Sequence, residues 1–258
     1  MTEKKYRNTI ASRPASYRKF SDLAFEYLPK AGIYNVEIAP PAPDEVNEKI
    51  RELEEHGLTA TSLATGVELS DEASVRDLIA ALDTARRMDV AIVFCSTRTG
   101  ELERQRAYEK LREVGEGAQE AGAVVSMETH PNMCQNSEQM LDTMRGVDHP
   151  GIRINFDTAN IYYYNQGVDG TEELRKVRDY VASVHLKDTN GGYREHHFPA
   201  LGEGVVDFPS VFKVLNDVGF RGPFTFEMEG IAGEDLTLEE SHKRIVDSMK
   251  YLDSIGVL

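Results

Sequence analysis

Five short segments of the chain alternate apolar side chains with side chains that can do chemistry. In Phe224-Thr225-Phe226-Glu227-Met228-Glu229 the odd positions are Thr225, Glu227 and Glu229, and the even ones are apolar. Ile152 to Asp157 sets Arg153, Asn155 and Asp157 against Ile152, Ile154 and Phe156. Ala182 to Lys187 puts Ser183, His185 and Lys187 on one side; Val125 to Glu128 pairs Ser126 with Glu128, and Tyr34 to Ile38 pairs Asn35 with Glu37. A period of two is that of a strand whose two faces meet different surroundings. One such carboxylate is ordinarily a loop cap or a solvated group, and one such histidine is ordinarily structural. Glu128, Asp157, His185 and Glu227, each near the C-terminal end of its own strand, form a set. Three carboxylates and an imidazole in one mouth repel one another unless a counter-charge is present. One divalent metal ion resolves the conflict, and oxygen-rich ligands with one imidazole suit Mn²⁺ or Co²⁺ first, then Mg²⁺ or Zn²⁺.

These strands need a frame that brings their ends together. β-like segments recur at Asn8–Ile10, Tyr34–Ala39, Leu58–Leu63, Ala91–Ser96, Ala123–Glu128, Ile152–Asp157, Val181–Lys187 and Pro223–Glu229. Between them lie amphipathic helical stretches at Ser16–Pro29, Asp44–His56, Asp71–Met88, Glu101–Ala121, Ser137–Met144, Thr171–Tyr180, Pro209–Val218 and Leu238–Ile255. Several begin at Ser, Thr, Asp or Pro and stop at Gly, as helix ends do. Strand–helix alternation predicts a parallel sheet with right-handed crossovers. Eight units in 258 residues match the ~250 residues typical of a (β/α)8 TIM barrel, whose active sites sit at the C-terminal ends of the strands. No Gly-x-Gly-x-x-Gly follows the first strand, which weighs against a doubly wound sheet. No linker or composition break interrupts residues 1–258, so the expectation is an α/β chain folded as a single TIM-barrel domain.

With 29 Lys+Arg against 44 Asp+Glu, the formal charge is −15. That is the wrong sign for a nucleic-acid face. Met1 to Arg7 is polar, and no apolar run approaches the ~20 residues of a membrane helix. Two cysteines, Cys95 and Cys134, make no disulfide framework. The expectation is a soluble cytoplasmic protein that binds neither nucleic acid nor membrane.

The segments SMETH (126–130), NFDTAN (155–160), HLKD (185–188), GEGVVDF (202–208) and TFEME (225–229) resemble the xylose isomerase-like sugar phosphate isomerase/epimerase family, a barrel superfamily that includes endonuclease IV. Gly32 to Ile38 is similar to its second strand. The resemblance implies metal ligation by Glu128, Asp157, His185 and Glu227. It also implies that Glu128 and Glu227 act as an acid/base pair on a small-molecule sugar, moving a proton beside a carbonyl through a metal-stabilised enediolate. Many members carry a histidine where this chain has Asn160, so Asn160 is expected to contact substrate in its place. The histidines of the endonuclease IV zinc cluster are missing here.

Further substrate contacts are expected from Glu37, from His130 two residues beyond Glu128, and from Lys187 on the face of His185, which can also pair with Glu128 or Glu227. Arg194, with His196 and His197, lies in a long polar stretch placed to cover the mouth. Glu229 is expected at the rim, and Arg13 and Arg98 offer anion contacts after strands one and four. Tyr162, Tyr163 and Tyr164 suit sugar stacking, packing or a homodimer contact. The leading reading is a divalent-metal-dependent ketose or keto-sugar isomerase/epimerase. The alternative is a metal-dependent lyase or hydratase acting on 3-keto-sugars or glycosides, and a non-catalytic sugar-binding barrel ranks third.

Overall fold

The aliphatic and aromatic residues of the apolar faces build the core: Val93, Val125, Ile154, Phe156, Val184, Leu186, Phe224 and Phe226 are all buried in it. The computed structural model describes residues 8–258; the polar segment from Met1 to Arg7, and with it the start of the expected domain, lies outside the described residues. Strands β1 (Thr9–Ser12), β2 (Asn35–Ile38), β3 (Thr59–Glu68), β4 (Ile92–Arg98), β5 (Val124–Glu128), β6 (Ile152–Asp157), β7 (Val181–Leu186) and β9 (Pro223–Phe226) form a closed barrel in that order. All neighbours are parallel, and β9 closes on β1 through Ile10 opposite Phe224 and Ser12 opposite Phe226. This is the expected single (β/α)8 TIM barrel.

Local chemistry fixes the helices between the strands. Asp71, Asn136 and Asp169 each accept a hydrogen bond from a backbone N–H of the turn they open, and Thr237 with Glu240 forms a reciprocal capping box at the start of Leu238–Ser254. Such caps satisfy N–H groups that have no partner within the helix. Phe212 stacks on Phe224 with centroids 4.2 Å apart, fastening the Phe208–Asp217 helix to β9. Among the described residues no helix is long and apolar enough to cross a membrane.

Three expected elements differ. Ser16–Pro29 is not one helix: a 3₁₀ run over Pro14–Leu23 is broken at Arg18 (φ 54°, ψ −121°) and continues as a single α-turn, Ala24–Tyr27. That left-handed backbone cannot propagate a helix. The last barrel strand ends at Phe226, not at Glu229. The long stretch after Asp188 forms a short strand, β8 (His197–Phe198), paired antiparallel with β10 (Gly230–Ile231). This two-stranded ribbon covers one side of the mouth, with Phe198 buried beneath it.

Candidate active site

The inward layer of the barrel is polar, as the alternation requires. Ser126 on β5 and Ser183 on β7 share a hydrogen bond of 2.8 Å, and Asn155 Nδ2 donates to Ser183 Oγ at 2.8 Å. Strands β5 and β7 are separated by β6, so this contact runs through the interior. Two residues further along their strands stand Glu128, Asp157 and His185, and two beyond Thr225 stands Glu227.

His185 is fully buried. Its Nε2 lies 3.0 Å from Glu37 Oε1, across the barrel on β2, and its ring stacks on Phe94 with centroids 4.5 Å apart. Its Nδ1 faces Glu227 Oε2 at 3.3 Å without hydrogen-bond alignment and has no other partner. Asp157 Oδ1 accepts the backbone N–H groups of Ala159 and Asn160, both at 2.8 Å. Its Oδ2 is buried and lacks a hydrogen bond, although Lys187 Nζ is 3.0 Å away. Lys187 Nζ also donates to Glu227 Oε2 and to Glu229 Oε2, each at 2.7 Å. Arg13 donates from Nη1 to Glu227 Oε1, and its Nε is 3.5 Å from Glu37 Oε1.

Charge and burial oppose each other throughout this cluster. Burial pushes Asp157 up to about 7 against the pull of Lys187. Burial also disfavours charge on His185, yet Glu227 and Glu37 outweigh it and raise the imidazole to about 10. Glu227 is held well below the usual carboxylate range: burial works the other way, but Lys187, His185 and Arg13 prevail. Burial, helped by repulsion from Glu227, raises Glu128. Arg13, Lys187 and His185 thus supply much of the counter-charge that the sequence argument assigned to a metal alone.

Room for an ion remains in the chemistry of the donors. Asp157, His185 and Glu227 each offer one atom, and these atoms lie within 4.8 Å of one another. Two of the buried polar atoms without a hydrogen bond, Asp157 Oδ2 and His185 Nδ1, belong to that set. A hard or borderline divalent cation fits two carboxylates and an imidazole. Glu37, which accepts from the far edge of the imidazole, is the carboxylate partner that ligating histidines commonly have.

The other sequence candidates divide. Glu128 is half-buried and outside the donor set; it pairs in register with Asn155, and Asn160 Nδ2 donates to its Oε1 at 3.2 Å. Asn160 is buried and also donates to Thr129 O, so its amide ties Glu128 to the end of β5. Glu37 is also buried, with Oε2 accepting from Ser62 at 2.7 Å; it orients His185 and borders the larger cavity beside Arg13. Arg194 is exposed and rests beside Tyr193; its backbone is left-handed at φ 56°, and its N–H donates to Tyr163 O at 2.9 Å. His130 packs edge-on against Tyr164, outside the donor set. The three tyrosines are half-buried and spent within the chain: Tyr162 Oη accepts from Gly170 N, Tyr163 packs against Phe198 and Tyr164 against His130. Glu229 is at the rim, as expected.

Sequence reasoning missed two roles. Arg13 pairs with carboxylates of the chain instead of a free anion, through partners 24 and 214 positions away in sequence that no local pattern connects. Asp188 accepts from the N–H groups of Thr189, Gly202, Gly204 and Val206 at 2.9–3.2 Å, pinning the GEGVV loop behind Lys187. A Cβ at Gly204 would meet Thr189 O at 2.2 Å and Asp188 Oδ1 at 2.3 Å, which is why glycine stands there. The HLKD and GEGVVDF segments are one device, and that link was the available signal.

Two cavities flank Arg13. One of about 610 Å³ runs past Phe25, Pro40, Pro41 and Lys49; the other, about 380 Å³, lies between Arg13, Arg18, His196 and Glu227. Both fall in the range of small-molecule sites.

An L-ribulose-5-phosphate 3-epimerase from Escherichia coli is 30% identical over 142 residues, 55% of this chain and 49% of that one. The chain spans about half the length of the curated relatives it matches. A xylose isomerase domain protein from Planctomyces limnophilus superposes with a TM-score of 0.78 at 19% identity, covering 97% of this chain and 98% of that one. A D-psicose 3-epimerase from Clostridium cellulolyticum, solved with D-tagatose, gives 0.76 at 16% identity over 97% and 100%. The model of the xylose isomerase-like TIM barrel family matches residues 25–255, and the chain belongs to that family.

Proposed function

We propose that the chain is a sugar epimerase or isomerase that works on a ketose or keto-sugar with one divalent ion, moving a proton at the carbon beside the carbonyl. The observation that carries this reading is the buried Asp157–His185–Glu227 donor set, with Glu128 in the same mouth. Its likeness to an L-ribulose-5-phosphate 3-epimerase supports the choice of chemistry. Asp157, His185 and Glu227 would hold the ion, which would supply Lewis-acid polarisation of the carbonyl.

The two glutamates divide the proton work by environment. Lys187, His185 and Arg13 hold Glu227 ionised in the ion-free chain, and Arg13, on Oε1, would keep doing so beside a bound ion, so Glu227 takes the proton. Glu128 is raised by burial and by Glu227, so it is the better proton donor near neutral pH. Neighbouring carboxyls pushed in opposite directions are the usual mark of such a division. Asn160 fixes Glu128, and Glu37 fixes His185. Lys187, beneath Phe198, keeps positive charge beside the developing oxyanion. A cytoplasmic location belongs to the same reading.

The larger cavity supports a second reading. Its volume of about 610 Å³ beside Arg13 accommodates more than a monosaccharide, as elimination from a 3-keto-glycoside requires. Product analysis separates the two, because elimination frees an aglycone and epimerisation does not.

Solvent exchange tests the shared step. In D2O with Mn²⁺ or Co²⁺, a ketose and keto-sugar panel should show deuterium entering beside the carbonyl in at least one substrate, and Glu227→Gln should abolish it. Absence of exchange across the panel with metal-loaded protein would remove proton transfer from the account.

A further inference from the structure

Two carboxylates of the donor set that would hold a divalent ion already share a cation of the chain. Lys187 Nζ lies 3.0 Å from Asp157 Oδ2 and 2.7 Å from Glu227 Oε2. Lys187 is buried, and its Nζ rests 5.0 Å from the centre of the Phe198 ring. Its third contact is different in kind. Glu229 Oε2 is also 2.7 Å away, but that side chain is 44% exposed and stands at the rim, outside the donor set.

From this arrangement we infer that Lys187 is a tethered counter-cation that competes with the divalent ion for Asp157 and Glu227, and that Glu229 holds the ammonium group when the ion is bound. The inference rests on the metal-site reading above. Two cations drawn to the same pair of oxygens repel each other strongly in a buried site. A lysine is suited to giving way, since its point charge sits on a flexible four-carbon stem. Arg13 differs: it reaches Glu227 through the other oxygen, Oε1, and is fixed at Glu37 as well. Lys187 would thereby keep both carboxylates paired when no ion is bound and would weaken ion binding.

Calorimetric titration of the chelator-stripped full chain with MnCl₂ tests this. Lys187→Met should bind Mn²⁺ more tightly than wild type by roughly 10- to 100-fold, the range that neighbours of metal ligands command. Arg13→Met removes the same charge from outside the contested oxygens and should gain much less. Glu229→Gln, at the exposed rim and safe for folding, should bind Mn²⁺ more weakly, because the displaced ammonium loses its partner. Circular dichroism shows which variants fold; if Lys187→Met does not, the Glu229→Gln affinity decides the matter. Equal affinities in wild type and Lys187→Met, equal gains in Lys187→Met and Arg13→Met, or an unchanged Glu229→Gln would overturn the competition and leave the metal site standing. No binding by any variant would overturn the metal site and this inference together.

Discussion

Glu37 Oε1 and His185 Nε2 meet at 3.0 Å across the barrel, from β2 and β7, and both side chains are shut off from solvent. That contact commits one edge of the imidazole to Glu37 and leaves Nδ1 facing Glu227. Replacing Glu37 by Ala should weaken divalent-ion binding by roughly 10- to 100-fold, as loss of a ligand's supporting partner does. It should also destabilise the fold by about 1–3 kcal/mol through an unpaired buried nitrogen. Mn²⁺ titration and chemical denaturation measure the two effects; unchanged affinity would reduce Glu37 to a packing residue.

Glu227→Gln keeps the shape of the side chain and removes its charge. Turnover of any accepted sugar should fall by about 10²- to 10⁴-fold, the range for loss of a general base. The circular dichroism spectrum should stay that of the wild type. Retained kcat would exclude Glu227 from the proton transfer.

The pH dependence of stability has a definite sign. His185 is raised from 6.5 to about 10 and Asp157 from 3.8 to about 7 in the folded chain. Between its ordinary and folded values each group binds more protons folded than unfolded, so its contribution is full below the ordinary value and lost as pH rises through the folded one. The metal-free protein should therefore melt at progressively lower temperature from about pH 6.5 to 10. His185→Gln should flatten that slope. A melting temperature that rises over the interval contradicts the assignment.

Asp188 holds four backbone N–H groups of the loop that follows Lys187. Asp188→Ala should cost about 3 kcal/mol, because buried donors lose a charged acceptor. In a chain of this length that lowers Tm by on the order of 10 °C. A shift within the error of the wild-type melting curve would show that the loop is held elsewhere.

Both thiols should be inert in the native state. Cys95 and Cys134 are buried, and burial pushes each up to about 12. Iodoacetamide should label neither until denaturant is added, since the thiolate is the nucleophile. Labelling of the folded protein would mean that β4 or the loop around Cys134 opens.

Much of this architecture was legible in the sequence because a parallel barrel imposes one repeated rule. The two-residue alternation in β5, β6, β7 and β9 assigned Glu128, Asp157, His185 and Glu227 to the interior, and the chain buries their apolar neighbours as that rule requires. Alternation fixes a face and says nothing about which inward groups touch. That is why Glu37 and Asn160 read only as substrate contacts, with no sign that the first also braces His185 and the second Glu128. It is also why Arg13 went unassigned: its carboxylates arrive from β2 and from the end of β9, brought together only by barrel closure. The break at Arg18 and the turn at Arg194 are left-handed backbone positions at ordinary arginines, which composition does not mark.

The claim on which the rest depends is that Asp157, His185 and Glu227 hold one divalent ion. Elemental analysis of protein purified without chelator, alongside His185→Ala, tests it most directly. About one equivalent of Mn, Co, Zn, Mg or Fe per chain, or one restored by added Mn²⁺ or Co²⁺, and lost in the variant, is the predicted result. Neither native metal nor Mn²⁺ or Co²⁺ uptake by the wild-type chain would contradict the account, leaving the cluster an internally paired ion network with no part in catalysis.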